Sequence, residues 1–545
     1  MKCTIHQAPT GNRLTDAQLF DFERVAHLYD HQDPTKDETF IRRAEAVTGW
    51  FTESHRRNLV ETLVDYGKRI NASTTQLAAA QKLLDSRSVA VVTGQQAGLL
   101  TGPFYSISKA LSAIGLAVEM ERLLGRPVVP VFWVASEDHD FAEVDHAYIL
   151  NEDDDVTRIS LKHQFDTHQM VFYSPLSDTQ VREVLDVLRE SIPELPYKSE
   201  MLHTLKVCWT DGDTLSVWFA RVLARLLSKH PIVILDPCLP GLRQLVAPVF
   251  ARTLRDFDVL QDNLAAAYRE VEEAGFAHEV IRDPAHSTVF HVIDGKRYVI
   301  EKNREGAFVA RGHGKKLELP EWVDLATESP ELFSSNVLLR PVIQDHLIPT
   351  LAYVGGPSEL AYHPLSRAVF HTHERSLPPL IMRQRLRIAS PGVWRTMNQW
   401  NVSFEDVHEP VDLVARHALQ DVAESLHDRV SSLEQTLTTA LQGFVDVYEE
   451  FGPQVRDIVN RQHRKQKTLL SKLEHKIYRL AERRRSDDVG QLRRIEHWFW
   501  TDGHEQERRL CPINVWAELG LTWFESLPTW ENFRQPAPYV DIIVE

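Results

Sequence analysis

The chain is 545 residues long, 43% hydrophobic and 25% charged, with a formal net charge of −16. This is the composition of a folded globular protein large enough for more than one domain, and the acidic balance argues against a general nucleic-acid binder. No apolar run reaches the ~20 residues needed to cross a bilayer, and Met1 to Gln7 lacks the apolar core of a signal peptide. Four scattered cysteines (Cys3, Cys208, Cys238, Cys511) show no Cys-x-x-Cys spacing, which fits free thiols in a reducing cytoplasm and gives no zinc site.

The first 85 residues read mostly as helices, with apolar stripes at helical spacing from Asp37 to Val47 and from Leu59 to Tyr66. A buried strand follows at Ser88-Val89-Ala90-Val91-Val92 and runs into the loop Thr93-Gly94-Gln95-Gln96-Ala97-Gly98-Leu99-Leu100-Thr101-Gly102-Pro103. A helix then begins at Phe104 and stops at Gly125-Arg126-Pro127. Val128 to Ala135 is a second, nearly continuous apolar strand of the kind that a parallel sheet buries on both faces. Strand, helix, strand at these lengths is a right-handed βαβ unit. The expected fold class is therefore α/β, with a doubly wound parallel sheet continued by Ile232 to Pro237 and Thr350 to Pro357.

Two stretches read as insertions: short alternating strands at about 145–175, and a hairpin within about 280–315 whose turn is Asp294-Gly295. From about 396 to 505 the texture changes. Leu433, Leu437, Ala440, Leu441, Phe444, Val447, Tyr448 and Phe451 form one stripe, Gly452-Pro453 breaks it, and Val455, Ile458, Leu469, Leu473, Ile477 and Leu480 form another. The simplest reading is a helical arm folded into a coiled-coil-like hairpin. The organisation expected is a core over 1–395, the arm over 396–505, and a segment over 506–545 that returns to the core.

Strand, glycine loop and helix N-terminus make an anion site, because unpaired N–H groups converge there and the helix dipole favours negative charge. The glycines at 94, 98 and 102 fit neither a Walker A loop nor a Gly-x-Gly-x-x-Gly fingerprint, and Lys109 lies too far into the helix to be a P-loop lysine. Gln95, Gln96 and Thr101 add hydrogen-bonding side chains suited to a polar ligand; the plainer alternative is a tight turn with helix-packing glycines. Ser136-Glu137-Asp138-His139-Asp140 follows the second strand, where open α/β sheets bind ligands. Its carboxylates would raise the histidine's pKa and poise it as an acid or base. The same cluster suits a ligand amine, sugar hydroxyls or a metal, and as a charge run it also reads as a solvated turn.

A third strand, glycine turn and helix start lies at Tyr353-Val354-Gly355-Gly356-Pro357-Ser358-Glu359, with Asn336, Arg340, Gln344 and Asp345 upstream. Arg340 suits a bidentate grip on a carboxylate, or else an internal salt bridge. On the arm, Arg461, Arg464 and Lys465 belong to a basic run that reads as a solvated helix face or a second phosphate site.

The segments Thr93–Pro103, Phe132–Asp140 and Tyr353–Glu359 resemble the signature segments of the BshC family of bacillithiol biosynthesis, and the resemblance runs the whole length, arm included. It implies a Rossmann-like core similar to class I aminoacyl-tRNA synthetases, connecting-peptide insertions and a coiled-coil arm that makes a homodimer. It implies a ligase that joins the carboxylate of cysteine to the amino group of glucosaminyl-malate. ATP, with or without Mg, would activate the carboxylate; no nucleic acid and no membrane take part. On this reading His139, framed by Glu137, Asp138 and Asp140, is the catalytic base. Thr93, Gly94, Gln95, Gln96, Gly98, Thr101, Gly102, Ser136, Asn336, Arg340, Gln344, Tyr353, Gly355, Gly356 and Glu359 form the substrate and nucleotide pocket. A synthetase-like Lys-Met-Ser-Lys-Ser loop is absent, and Met382-Arg383-Gln384-Arg385 is the nearest basic segment. The alternatives are a non-catalytic scaffold protein of the same pathway or another nucleotidyltransferase-like enzyme on the same sheet.

Overall fold

A computed structural model of the chain describes residues 1–162, 168–528 and 530–544. Part of the first expected insertion, 163–167, lies outside the described residues, as do positions 529 and 545 of the C-terminal segment. The chain divides into two compact units, one of residues 1–152, 157–390 and 506–544, the other of 153–156 and 391–505.

The first unit is built on a five-stranded sheet in the order Leu380–Met382, Thr350–Gly355, Val89–Gln95, Val128–Val134, Val233–Leu235. Every neighbouring pair in it is parallel. The order reverses between strands 89–95 and 350–355, so the crevice outside their carboxyl ends is the switch point where such sheets bind ligands. Strand 128–134 is buried at every position and strand 89–95 from Val89 to Gly94, which explains their unbroken apolar runs. Helix Tyr105–Leu124 packs on both strands and ends at Gly125, which adopts a left-handed conformation with φ +59°.

An antiparallel sheet holds the expected hairpin, His286–Ile293 with Lys296–Lys302, and adds Phe333–Ser335 on one edge and Phe308–Ala310 beyond the other strand. Asp294 and Gly295 both have positive φ (50° and 76°), the signature of a two-residue hairpin turn. A third sheet joins the chain ends: Lys2–Gln7 pairs antiparallel with Pro538–Ile543, which pairs parallel with Arg385–Ala389. The N-terminal strand is not among the elements the sequence predicts there, because a six-residue strand whose partner lies at the other end of the chain leaves no local signature.

In the second unit, helices Gln420–Val447 and Pro453–Arg484 form an antiparallel hairpin that breaks at Gly452-Pro453. Lys467 pairs with Glu434 at 2.9 Å, and Thr438 meets His463 at 3.1 Å, fixing the register. The hairpin spends little of its apolar surface on itself. Phe444 (55%), Phe451 (63%), Leu469 (57%) and Leu480 (62%) are among the large apolar side chains it leaves exposed. Among the described residues no helix is long and apolar enough to cross a membrane.

Candidate functional site

A cleft of about 450 Å³ opens at the switch point. Its floor starts at Gly94, where a Cβ would lie 2.7 Å from the Trp133 carbonyl oxygen; glycine lets the next strand pack that close. Helices 105–124 and Pro357–Thr372 both begin at the cleft, with Tyr105 and Gly356 on its wall.

Lys109 ties the two sides of the switch point together. Its buried ammonium donates to the Gly94 carbonyl (2.8 Å) and Gln95 Oε1 (2.9 Å) and pairs with Glu359 Oε2 at 2.5 Å. Glu359 also accepts the Gly356 N–H (2.7 Å) and the Tyr353 O–H (2.6 Å), at the third residue of its helix, where a carboxylate caps the dipole. Burial disfavours the Glu359 charge, but Lys109 and Arg340 outweigh it and bring the carboxyl down to about 2. Lys109 is held below its ordinary value by the same burial despite Glu359, since nearby Arg383 and Arg340 oppose its charge. Glu359 is thus the hub of an internal network that also forms part of the wall.

The acidic segment after strand 128–134 does not act as one cluster. Glu137 lines the cleft with Oε1 2.5 Å from Arg243 Nη2, and Oε2 accepts the Ser335 hydroxyl at 3.0 Å. Asp138 also lines it, accepting from Gln96 Nε2 at 2.8 Å. Burial works against the Asp138 charge, but Arg297, with Gln96 and the His139 N–H, holds it below the usual carboxylate value. Asp140 is spent on capping a short helix through the Ala142 N–H (3.1 Å). Ser136 turns inward and donates to Asp236 at 2.6 Å; burial pushes Asp236 up to about 6.

His139 corrects the sequence expectation. Its pKa is lowered, first by burial and then by Arg297, which together outweigh the raising pull of Asp138 and Asp140; Glu137 is held by Arg243. It does not line the cleft. Asp138 Oδ1 (3.7 Å) and Arg297 Nη1 (3.4 Å) both lie on its Nδ1 side.

Of the other expected residues, Gln95, Gln96, Asn336, Arg340 and Gly356 line the cleft with Gly94 and Glu359. Several do not. Thr93 is buried and donates to the Val354 carbonyl at 2.8 Å, tying two strands. Gly98 and Gly102 close the loop on themselves, a Cβ at Gly98 falling 2.9 Å from the Gly102 Cα, and Thr101 is buried beside them. Tyr353 stands behind Glu359, and Gly355 uses its carbonyl to accept the Arg383 N–H at 2.8 Å. Gln344 is buried one helical turn beyond Arg340 and away from the cleft wall. In the second unit, the guanidinium Nε groups of Arg461 and Arg464 reach only carbonyls one turn back on their own helix, and these two residues and Lys465 are exposed. A cavity of that unit, about 430 Å³, lies farther along the helix at Arg479 and Arg483.

Sequence reasoning missed Lys109, Arg297, Arg383 and Arg508, which also line the cleft. Lys109 had a signal, being the lone charge among Ile107, Ala110, Leu111 and Ile114 on a buried helix. Arg297 and Arg508 come from distant elements and had none. Among the described residues, Lys109, Arg297 and Arg383 each face a carboxylate: Glu359, Asp138 and Glu507. Arg340 instead donates to the neutral Tyr362 hydroxyl at 2.6 Å, and Arg508, exposed at the rim, faces no carboxylate partner among them.

A doubly wound parallel sheet with a cation-rich cleft at its switch point defines a Rossmann-like protein. The chain belongs to the BshC family: residues 1–384 match the "Bacillithiol biosynthesis BshC, N-terminal Rossmann-like domain" and 387–534 the "C-terminal coiled-coil domain". It is 32% identical to the "Putative cysteine ligase BshC" of Symbiobacterium thermophilum, over 94% of this chain and 88% of that protein. Proteins of the same description from Heliobacterium modesticaldum (30%, over 93% and 94%) and Bacillus cytotoxicus (28%, over 87% and 88%) are similar along comparable lengths.

Proposed function

We propose that the chain is a cytoplasmic amide-forming ligase that joins L-cysteine to the amino group of glucosaminyl-malate, giving bacillithiol. The observation that carries the reading is the pair of cleft guanidinium groups, Arg340 and Arg508, that make no salt bridge among the described residues: Arg340 donates to the Tyr362 hydroxyl and meets the Glu359 charge only at longer range. Two guanidinium groups without a paired carboxylate suit the two carboxylates of a malate group. Glu137 and Asp138 meet the cationic end of the substrates. ATP activates the cysteine carboxylate: its oxygen attacks the α-phosphorus and pyrophosphate leaves, then the amine attacks the acyl carbon and AMP leaves. His139, a neutral ring near pH 7 beside the cleft residues Asp138 and Arg297, takes the proton that the amine sheds, an assistance typically of 10²–10⁴-fold.

Purified protein incubated with ATP, cysteine and glucosaminyl-malate under reducing conditions is expected to give bacillithiol by mass spectrometry, with AMP in equal amount. Absence of both product and ATP turnover would overturn the reading. Charge-assisted hydrogen bonds contribute about 1.5–3 kcal/mol, so Arg340→Met should raise the acceptor KM roughly 10- to 100-fold. A fall in kcat with KM unchanged would place Arg340 elsewhere in the reaction.

The arm makes a homodimer on this reading. Ile458 (59%), Leu473 (47%) and Leu480 (62%) with Phe444 and Phe451 offer a second copy an apolar face, and each large side chain buried there gains about 1.5–3 kcal/mol. Leu473→Glu combined with Phe444→Glu should turn a dimer into a monomer by sedimentation, without changing the near-UV circular dichroism of the first unit. A wild-type monomer at micromolar concentration would contradict it.

A further inference from the structure

Glu137 faces the cleft, yet both of its oxygens are held from behind. Arg243, on helix Pro240–Arg255, engages Oε1 at 2.5 Å, and Ser335, on the edge strand of the antiparallel sheet, donates to Oε2 at 3.0 Å. The three are 5%, 2% and 4% exposed in the order Glu137, Arg243, Ser335. Arg243 does not line the cleft. It is steadied by Cys238 Sγ at 3.3 Å and by the Phe250 ring, whose centroid lies 5.7 Å from its guanidinium carbon.

A carboxylate gripped at both oxygens has lost its rotation, and the arginine at its back gives it a direct countercharge. An ionised carboxylate offers about four acceptor sites, so two contacts leave capacity for a donor arriving through the cleft. The neighbouring Asp138 is turned instead to Gln96 and Arg297. A fixed, acceptor-only anion suits an ammonium group, whose N–H bonds are charged donors.

We propose that Arg243 is a positioning residue which, with Ser335, fixes Glu137 as the receptor for the α-ammonium group of an amino-acid substrate. The proposal rests on the reading above that one substrate is an amino acid. It goes further in naming the group recognised and the two residues, from separate parts of the fold, that prepare the receptor.

The test is isothermal titration of the full chain with L-cysteine, L-serine, glycine, N-acetyl-L-cysteine and L-malate. Wild type is expected to bind L-cysteine at least tenfold more tightly than N-acetyl-L-cysteine, which has no ammonium group. Arg243→Met should weaken L-cysteine at least tenfold while L-malate stays within twofold, Arg243→Lys should recover most of the loss, and Ser335→Ala should weaken L-cysteine about threefold to tenfold. Equal losses for L-cysteine and L-malate would show a merely structural role and overturn the proposal. If Arg243→Met does not fold, Ser335→Ala and Arg243→Lys decide it, and unchanged L-cysteine binding in both overturns it. Arg243-dependent binding of serine or glycine but not cysteine keeps the positioning role and refutes the cysteine reading. Cysteine binding indifferent to Arg243 does the reverse, and a wild type that binds no amino acid refutes both.

Discussion

Replacing Lys109 by methionine is expected to lower the free energy of unfolding by about 3–5 kcal/mol, the usual effect of leaving one member of a buried ion pair alone. Methionine keeps the length and apolar volume of the side chain, so little of the loss comes from packing. What goes is a 4%-exposed ammonium whose acceptors, Gly94 O, Gln95 Oε1 and Glu359 Oε2, sit on opposite sides of the sheet's switch point. Glu359 keeps the Tyr353 hydroxyl and the Gly356 N–H but loses its direct countercharge. The double variant Lys109→Met with Glu359→Gln removes both charges and should regain part of the stability, since an uncharged pair leaves no ion buried alone. Urea unfolding of the two variants and wild type measures this. A single-variant loss under 1 kcal/mol would mean that Lys109 is a dispensable surface charge, contrary to its enclosure. The same substitution should weaken ligand binding, because the ammonium joins the loop and the helix start that form two walls of the cleft.

How far the sequence discloses this arrangement depends on the range over which each signal acts. Strands 89–95 and 128–134 are legible because a strand covered on both faces must be apolar throughout. Strand 380–382, three residues long, is too short to show any period, and the pairing of the chain ends depends on partners more than 500 residues apart. The three loops at the switch point are equally legible as loops, but not the direction in which each side chain turns. Gln96, Glu137, Asp138 and Arg340 face the cleft, while Thr93, Ser136, Gln344 and Tyr353 are spent on the frame behind it. Charge proximity is the least legible property. Three acids beside a histidine in sequence predicted a raised pKa, but burial of the ring and Arg297 outweigh Asp138 and Asp140, and Arg243 holds Glu137. Arg243 lies 106 residues from Glu137 along the chain and Ser335 lies 198 away. No local pattern carries such a contact.

Mild acid should destabilise the protein steeply, with the loss beginning near pH 6.5. Burial, reinforced by Lys315, lowers His291 to about 4; burial lowers His363 to about 4 against a hydrogen bond to the Glu359 carbonyl; and burial with Arg252 and Arg375 lowers His373 to about 3. All three rings are 4% exposed or less. In the unfolded chain each binds a proton at its ordinary value near 6.5, whereas in the fold it stays neutral until far lower pH. The unfolded state therefore takes up protons first. Stability is complete above 6.5 and falls as the pH descends toward the folded values, by about 2 kcal/mol per histidine at pH 5. Asp236 acts in the opposite sense: raised to about 6, it gains a proton in the fold before it does when unfolded, which returns about 1–2 kcal/mol by pH 5. Glu359, brought down to about 2, begins to weaken the fold only below its ordinary 4.5, so it adds nothing at pH 5. His346, lowered to about 2 by burial and Arg375, adds a further ~2 kcal/mol, so the net expectation is a loss of about 6–7 kcal/mol between pH 7 and pH 5, a large part of the ~5–15 kcal/mol that holds a domain folded. Urea unfolding at half-unit steps should show about three protons taken up on unfolding near pH 5, about four from the histidines less about one that Asp236 releases. His373→Gln, which keeps a polar partner for Thr253, should lower that number by about one. An uptake below one proton in the wild type would mean that these imidazoles are hydrated and titrate as they do in water.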